Sequence, residues 1–193
     1  MLNIDGFSIP FGPQEYWVTF EFIDDQVDLT YPIGGEGFVP SESEIIRWDA
    51  SKGSTPFVLE YTTDGIVWNL ISNSVNSDDR YYTWSVPNII TDKAKIRVSR
   101  GSSVSESVES FTIVDVPQNI IVDWLCPDSI YMYWDPVAGA DSYEVSMLGN
   151  VYMDSMTTSN LTTAFFLNPN SSITDSWFSV CAKVNNSKGR RAV

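Results

Sequence analysis

Short runs of β-branched and aromatic residues, separated by glycine, proline and aspartate, recur along almost the whole chain. In residues 94–99 (AKIRVS) and 129–134 (SIYMYW), apolar and polar side chains alternate, which is the pattern of a strand with one buried face. No stretch keeps the period of about 3.6 residues that an amphipathic helix requires. The pattern therefore predicts an all-β fold made of antiparallel β-sandwiches.

The strands and the turns between them indicate two units in tandem. Asp64-Gly65 lies between two strand-like runs and predicts a tight hairpin, because glycine adopts positive φ without strain. The predicted strands are 16–23, 27–31, 44–48, 57–61, 67–71, 81–86, 94–99 and 110–114, followed by 119–124, 129–134, 143–148, 151–154, 162–167 and 177–184.

Charge changes where the second set of strands begins. Residues 116–193 carry four basic and seven acidic side chains, a net of −3, which leaves −11 of the total of −14 to the first part. We therefore predict a lead-in over residues 1–25 that forms the end of a preceding domain, a first sandwich over 26–115 and a second over 116–193.

Composition excludes several classes of function. The chain has no histidine, which removes His-based triads, His-ligated zinc and imidazole acid–base chemistry. A net charge of −14 opposes nucleic-acid binding, which depends on Lys and Arg at phosphates. No run approaches the roughly 18 apolar residues of a membrane span. Ser-x-x-Lys and Gly-x-Ser-x-Gly are both missing from the sequence. We expect no catalytic residue, no cofactor, no nucleic-acid partner and no membrane insertion.

Two residue groups leave alternatives open. Asp24, Asp25 and Asp28 offer clustered oxygens for calcium, but they lack EF-hand spacing, so a solvated acidic surface is favoured. Cys126 and Cys181 lack metal-ligand spacing. They are either one bridge in an exported protein or two partly buried thiols, and the sequence does not decide between these states.

The aromatic residues have a structural and a binding interpretation. Trp48, Trp84 and Trp134 occupy strand positions that alternation points inward, so we predict them in the core. An exposed aromatic ring would instead offer an apolar face to a sugar. The candidates for such a platform are Tyr81, Tyr82, Trp84, Trp124 and Trp177.

The second half resembles a fibronectin type III domain. The residues that carry this resemblance are Pro117, Ile130, Trp134-Asp135-Pro136-Val137, Gly139-Ala140-x-x-Tyr143-x-Val145, Leu167-x-Pro169 and Val180-x-Ala182. The resemblance implies that Trp134 and Tyr143 are core residues between two sheets. It departs at Ser176, where that family has a tyrosine, and we expect Trp177 to substitute in the packing. Residues 189–193 look like the opening of the last strand, so we expect an incomplete strand in a chain that continues.

The first half resembles the immunoglobulin-like modules of secreted, multidomain surface proteins of Bacteroidetes. The matching residues are Pro32-x-Gly34-Gly35-Glu36, Ile46-x-Trp48, Leu59-Glu60-Tyr61-x-x-Asp64-Gly65-x-x-Trp68, Tyr82-x-Trp84-x-Val86-Pro87 and Lys95-Ile96-Arg97-Val98. Residues 62–68 also resemble a sialidase-type Asp-box with one residue missing, which implies a hairpin-stabilising turn in which Asp64 bonds backbone N–H groups. The resemblance implies export and neighbouring domains in a longer chain.

Together these observations predict a non-catalytic spacer and interaction module of a secreted or cell-surface bacterial protein, either a peptidase or an adhesin. Its expected partners are the neighbouring domains and a protein or glycan ligand. The alternative is a carbohydrate-binding module that uses surface aromatics, and a weaker one is an accessory domain that completes a neighbour's active site.

Overall fold

The computed structural model describes residues 11–13, 15–20, 26–125, 129–148, 153–159, 162–167 and 177–192, with the backbone alone at 124–125, 129, 153–159 and 165–167. Within these ranges no helix is long and apolar enough to cross a membrane. The strands of the described residues are β1 (Val27–Tyr31), β2 (Gly37–Phe38), β3 (Ser43–Ala50), β4 (Phe57–Thr62), β5 (Asn69–Val75), β6 (Tyr81–Ser85), β7 (Thr91–Arg100), β8 (Ser103–Glu106), β9 (Phe111–Ile113), β10 (Ile121–Leu125), β11 (Ser129–Tyr133), β12 (Ser142–Leu148), β13 (Met153–Ser159), β14 (Thr163–Leu167), β15 (Phe178–Val184) and β16 (Ser187–Ala192).

The first nine strands form two sheets. One sheet has the order β1-β3-β6, and the other has the order β2-β9-β7-β4-β5 with β8 paired to β7. All of these pairs are antiparallel except β2 with β9. Alternation along β3 buries Ile46 and Trp48 and exposes the residues between and after them. The Trp48 ring meets Phe57 of the opposite sheet at 5.2 Å between centroids, so the two sheets enclose a shared core.

The remaining strands form a second pair of sheets, with the orders β10-β11-β14 and β13-β12-β15-β16. Trp134, which follows β11, packs edge-on against Tyr143 of β12 at 5.4 Å between ring centroids. The Tyr143 hydroxyl accepts a 2.8 Å hydrogen bond from the backbone N–H of Val137. Both aromatic residues are buried, as the resemblance to fibronectin type III domains implied.

The described residues contain two hydrophobic clusters. One draws its buried members from Val27 through Ile113, and the other from Val114 through Val184. The all-β fold of tandem antiparallel sandwiches is thereby confirmed. The boundaries at residues 25/26 and 115/116 stay predictions.

Several strand predictions need correction. The strand expected at 16–23 is wrong over residues 16–20, which have no regular structure, and residues 21–23 lie outside the described residues. Trp17 in that segment is 92% exposed, because an apolar run forms a stable strand only where a partner edge accepts its hydrogen bonds. Strands β2 and β8 were not predicted. The last strand begins at Ser187, two residues before the expected opening, and pairs with β15.

Candidate functional site

The structure does not gather the aromatic candidates whose side chains it describes into one platform. Trp48, Trp84 and Trp134 are buried, as predicted. Tyr81 is exposed on β6 of the first sandwich. Trp177 is 65% exposed on the second, directly before β15, so the packing role that we expected for it is wrong. Tyr82 is half-buried, and the side chain of Trp124 lies outside the described residues. Among the four candidates whose side chains are described, Trp177 is therefore the one with an open indole beside a cleft, which is lined by residues 117–120, Phe178 and Ala192.

No metal centre forms among the described residues, since none of them makes a group of three or more His, Cys, Asp or Glu side chains. Asp28 is exposed on β1, while Asp24 and Asp25 lie outside the described residues. This is compatible with the solvated acidic surface that the sequence favours.

We expect calcium to leave the protein's thermal stability unchanged. A cation bound only by the folded state would raise the melting midpoint by mass action. The check is to melt the protein in millimolar calcium and again in excess chelator. Equal midpoints are expected. A higher midpoint with calcium that is lost in Asp24→Asn/Asp25→Asn/Asp28→Asn would establish the site that we disfavour.

The Asp64 turn closes the β4–β5 hairpin. Asp64 Oδ1 accepts hydrogen bonds of 2.8 Å from the backbone N–H groups of Ile66 and Val67, and a 2.9 Å bond from the Thr62 hydroxyl. The bonds from Val67 and Ile66, and then that from Thr62, lower the pKa of the Asp64 carboxyl. The turn is therefore built around an ionised carboxylate, as the Asp-box resemblance implied.

We expect Asp64→Ala to lower the melting midpoint at neutral pH, because three donors lose their acceptor. The folded pKa lies below the ordinary value of 3.8, so the carboxylate stabilises the fold above that value. This contribution is lost as pH falls through the lowered pKa. Melting from pH 7 to pH 2 should show the variant and the wild type converging in acid. Asp78→Ala, at an exposed turn residue, is the matched control and should show no such convergence.

The second sandwich touches the first along β16, and Arg190 is the main polar contact. Its Nη1 lies 2.7 Å from Glu42 Oε2, and its Nη2 bonds Glu44 Oε1. Burial opposes the positive charge, but the bonds to Glu42 and Glu44 outweigh it and raise the pKa of Arg190. The sequence did not predict these ion pairs, because Arg190 lies 148 positions from Glu42 and 146 positions from Glu44 in the chain.

Glycines bring the two backbones together beside Arg190. A Cβ added at Gly37 of β2 would overlap the backbone of Gly189 and Arg190, and one added at Gly189 would overlap a methyl group of Val114. At another point of the junction, Asn185 Nδ2 donates to Asp92 Oδ1 at 3.2 Å. We call the contacts of Arg190, the Gly37–Gly189 approach and the Asn185–Asp92 bond the junction.

Among the described residues, neither the thiol of Cys181 nor the buried carboxylate of Glu144 has a partner that would make it catalytic. Cys181 is a free, buried thiol, and Cys126 lies outside the described residues. Burial, followed by the nearby Glu144 carboxylate, raises the pKa of the Cys181 thiol, which suppresses the reactive thiolate. Glu144 is buried and forms ion pairs with two positive side chains. Lys188 Nζ lies 2.8 Å from Glu144 Oε2, and Arg191 Nη2 lies 3.5 Å from Glu144 Oε1.

Comparison with known proteins gives similar folds at low identity. No family model matches the chain, and no curated protein matches it. Similar solved structures include a two-domain fibronectin type III segment of chicken tenascin (14% identity, TM-score 0.42, covering 87% of this chain and 95% of that one). Another is the FN1–FN3 segment of chicken CNTN1 (15% identity, TM-score 0.38, covering 90% and 67%). At TM-scores this low, the fold assignment rests on the strand pairings above.

Proposed function

We propose that this chain is a non-catalytic spacer and interaction module that holds neighbouring domains of a longer protein apart at a fixed angle. The observation that carries the proposal is the junction. Two sandwiches joined only by a flexible linker would reorient freely. Here the last strand of the second sandwich lies against β2 and β9 of the first.

The junction restrains more than one direction of movement. Arg190 holds two carboxylates of the first sandwich, Glu42 and Glu44. The Asn185–Asp92 bond joins β7 to the turn between β15 and β16. A rotation of one sandwich about either contact would stretch the other contact. The close backbone approach at Gly37 and Gly189 leaves no space for one sandwich to slide past the other. A spacer function requires this kind of rigidity.

A non-catalytic function is also supported by the side chains themselves. A thiol nucleophile is activated by an adjacent base, yet the chain has no histidine and the Cys181 thiol is buried. The buried Glu144 carboxylate forms ion pairs with the positive side chains of Lys188 and Arg191. Glycoside hydrolysis would instead require a second carboxyl group facing it.

The setting we propose is a secreted or cell-surface multidomain bacterial protein, a peptidase or an adhesin of the Bacteroidetes type. Its support is the set of module-like motifs, such as residues 57–68 and 134–145. Residues 26–115 and 116–193 are then two modules of one longer chain. Their loops supply weak contacts to neighbouring domains.

Single-molecule energy transfer across the junction tests the spacer function. Fluorophores are attached through azide-bearing residues at the exposed positions Ser102 and Ala138, which avoids the native cysteines. We expect one narrow distance distribution for the wild type and a broadened one for Glu42→Lys/Glu44→Lys, whose two lysines repel Arg190. The control with the same charge change, Asp49→Lys/Asp78→Lys, lies away from the junction and should match the wild type. A wild-type distribution as broad as that of the Glu42/Glu44 variant would refute the spacer proposal.

A further inference from the structure

The cleft beside Trp177 has the size of a small-ligand site. It has a volume of about 490 Å³ and is lined by residues 117–120, Trp177, Phe178 and Ala192. Small-molecule sites usually occupy about 300–1,000 Å³. The chain segment that leads into β10 forms one wall, and the start of β15 with the end of β16 forms the other. We call this feature the Trp177 cleft.

The described part of the Trp177 cleft is uncharged. None of the described residues that line it carries an ionisable side chain, although the whole chain has a net charge of −14. A charged ligand would find no counter-charge among these residues, and removing its hydration water would cost free energy. The lining alternates apolar groups with the two amides of Gln118 and Asn119, so it matches a neutral ligand with both apolar faces and polar edges.

The indole of Trp177 is exposed but its backbone is held. The side chain is 65% accessible, while its carbonyl oxygen accepts a 2.8 Å hydrogen bond from the N–H of Leu148. An aromatic ring on a fixed backbone loses little conformational freedom on binding, and it offers a flat apolar face.

The amide side of the cleft is also held in place. Asn119 adopts a left-handed φ of 51°, and its Nδ2 donates a 2.6 Å hydrogen bond to Asp135 Oδ2. The neighbouring carbonyl of Gln118 accepts from the N–H of Asp135 at 2.9 Å. Among the described residues no donor reaches Asn119 Oδ1. That oxygen is an acceptor for a ligand hydroxyl.

We propose that the Trp177 cleft binds a neutral saccharide, with one sugar ring stacked on the indole of Trp177 and its hydroxyl groups bonded to the amides of Gln118 and Asn119. This binding is separate from the spacer function, since the side chains that would contact the sugar, those of Trp177, Gln118 and Asn119, make none of the contacts of the junction. Either proposal can fail while the other holds.

The test titrates the whole chain with a panel of soluble neutral hexasaccharides: cello-, xylo-, manno-, laminari- and chitohexaose. Binding is followed by calorimetry and by backbone amide NMR shifts at residues 117–120. We expect at least one sugar to bind with a dissociation constant below about 10 mM, the range of single weak contacts. Trp177→Ala should weaken that binding by roughly tenfold or more, because an aromatic anchor dominates a small site.

Two further variants separate binding from folding. Asn119→Gly keeps the left-handed backbone conformation but removes the amide and its bond to Asp135. It should lower the melting midpoint only slightly and weaken binding severalfold at a temperature where the variant is fully folded. Trp17→Ala removes another exposed indole, 92% accessible, outside the cleft and should leave binding unchanged. If no sugar of the panel binds, or if Trp177→Ala binds as tightly as Trp17→Ala, the proposal is overturned.

Discussion

Trp48→Ala is expected to lower the free energy of unfolding of the first sandwich by about 3–5 kcal/mol, the usual cost of removing a large aromatic side chain from a core. Trp48 is 1% exposed and its ring lies 5.2 Å from that of Phe57. Its Nε1 has no hydrogen-bond partner among the described residues, so the expected loss is one of packing. Urea titration followed by far-ultraviolet circular dichroism measures it.

Trp17→Ala is the matched control for this loss. The same side chain is removed at a position that is 92% exposed. Surface substitutions usually change stability by no more than about 0.5 kcal/mol. Comparable losses in the two variants would mean that Trp48 is not in the core between the sheets.

The second large effect is expected at Gly37. In Gly37→Ala the new Cβ meets backbone atoms of Gly189 and Arg190, which cannot rotate away as a flexible side chain would. Either the two sandwiches separate or β2 shifts. We expect the free energy of unfolding to fall by about 1–3 kcal/mol, the common cost of adding atoms to a region that is already fully packed. Chemical-shift changes in the variant should extend to residues 187–192 of the other sandwich.

Gly53→Ala is the control for Gly37→Ala. Its added Cβ would lie 3.1 Å from an Arg100 guanidinium atom, which is a side-chain neighbour and can adjust. We expect a smaller effect, confined to the first sandwich. If Gly37→Ala left the shifts of 187–192 unchanged, the close approach of the two backbones would be wrong.

Sequence alone predicted the strands whose alternation is strict. The strand predicted at residues 27–31 is β1. The hairpin at Asp64-Gly65 was also predicted, because the residues that form a tight turn are neighbours in the sequence. Strand β2 escaped prediction because it has two residues and depends on β9, more than 70 positions later in the chain. Strand β8 is short, polar and held by β7. Both exist because of a partner, which a local pattern does not reveal.

The candidate sites also divide into features that a local pattern predicts and features that depend on distant residues. Alternation correctly placed Trp48, Trp84 and Trp134 in the cores, since the period of a strand fixes which face is buried. It did not indicate that Arg190 would meet Glu42 and Glu44, because that contact depends on how two sandwiches dock. The sequence named Trp177 as one platform candidate among five. Only the fold places it beside the amides of residues 118 and 119.

Residual dipolar couplings of the backbone amides test most directly whether the two sandwiches form one rigid unit. Couplings from the strands β1–β9 and from β10–β16 are fitted separately in a weakly aligning medium. The junction predicts the same alignment tensor, in magnitude and direction, for both sets. Two tensors of clearly different magnitude would show independent motion and would contradict the spacer mechanism.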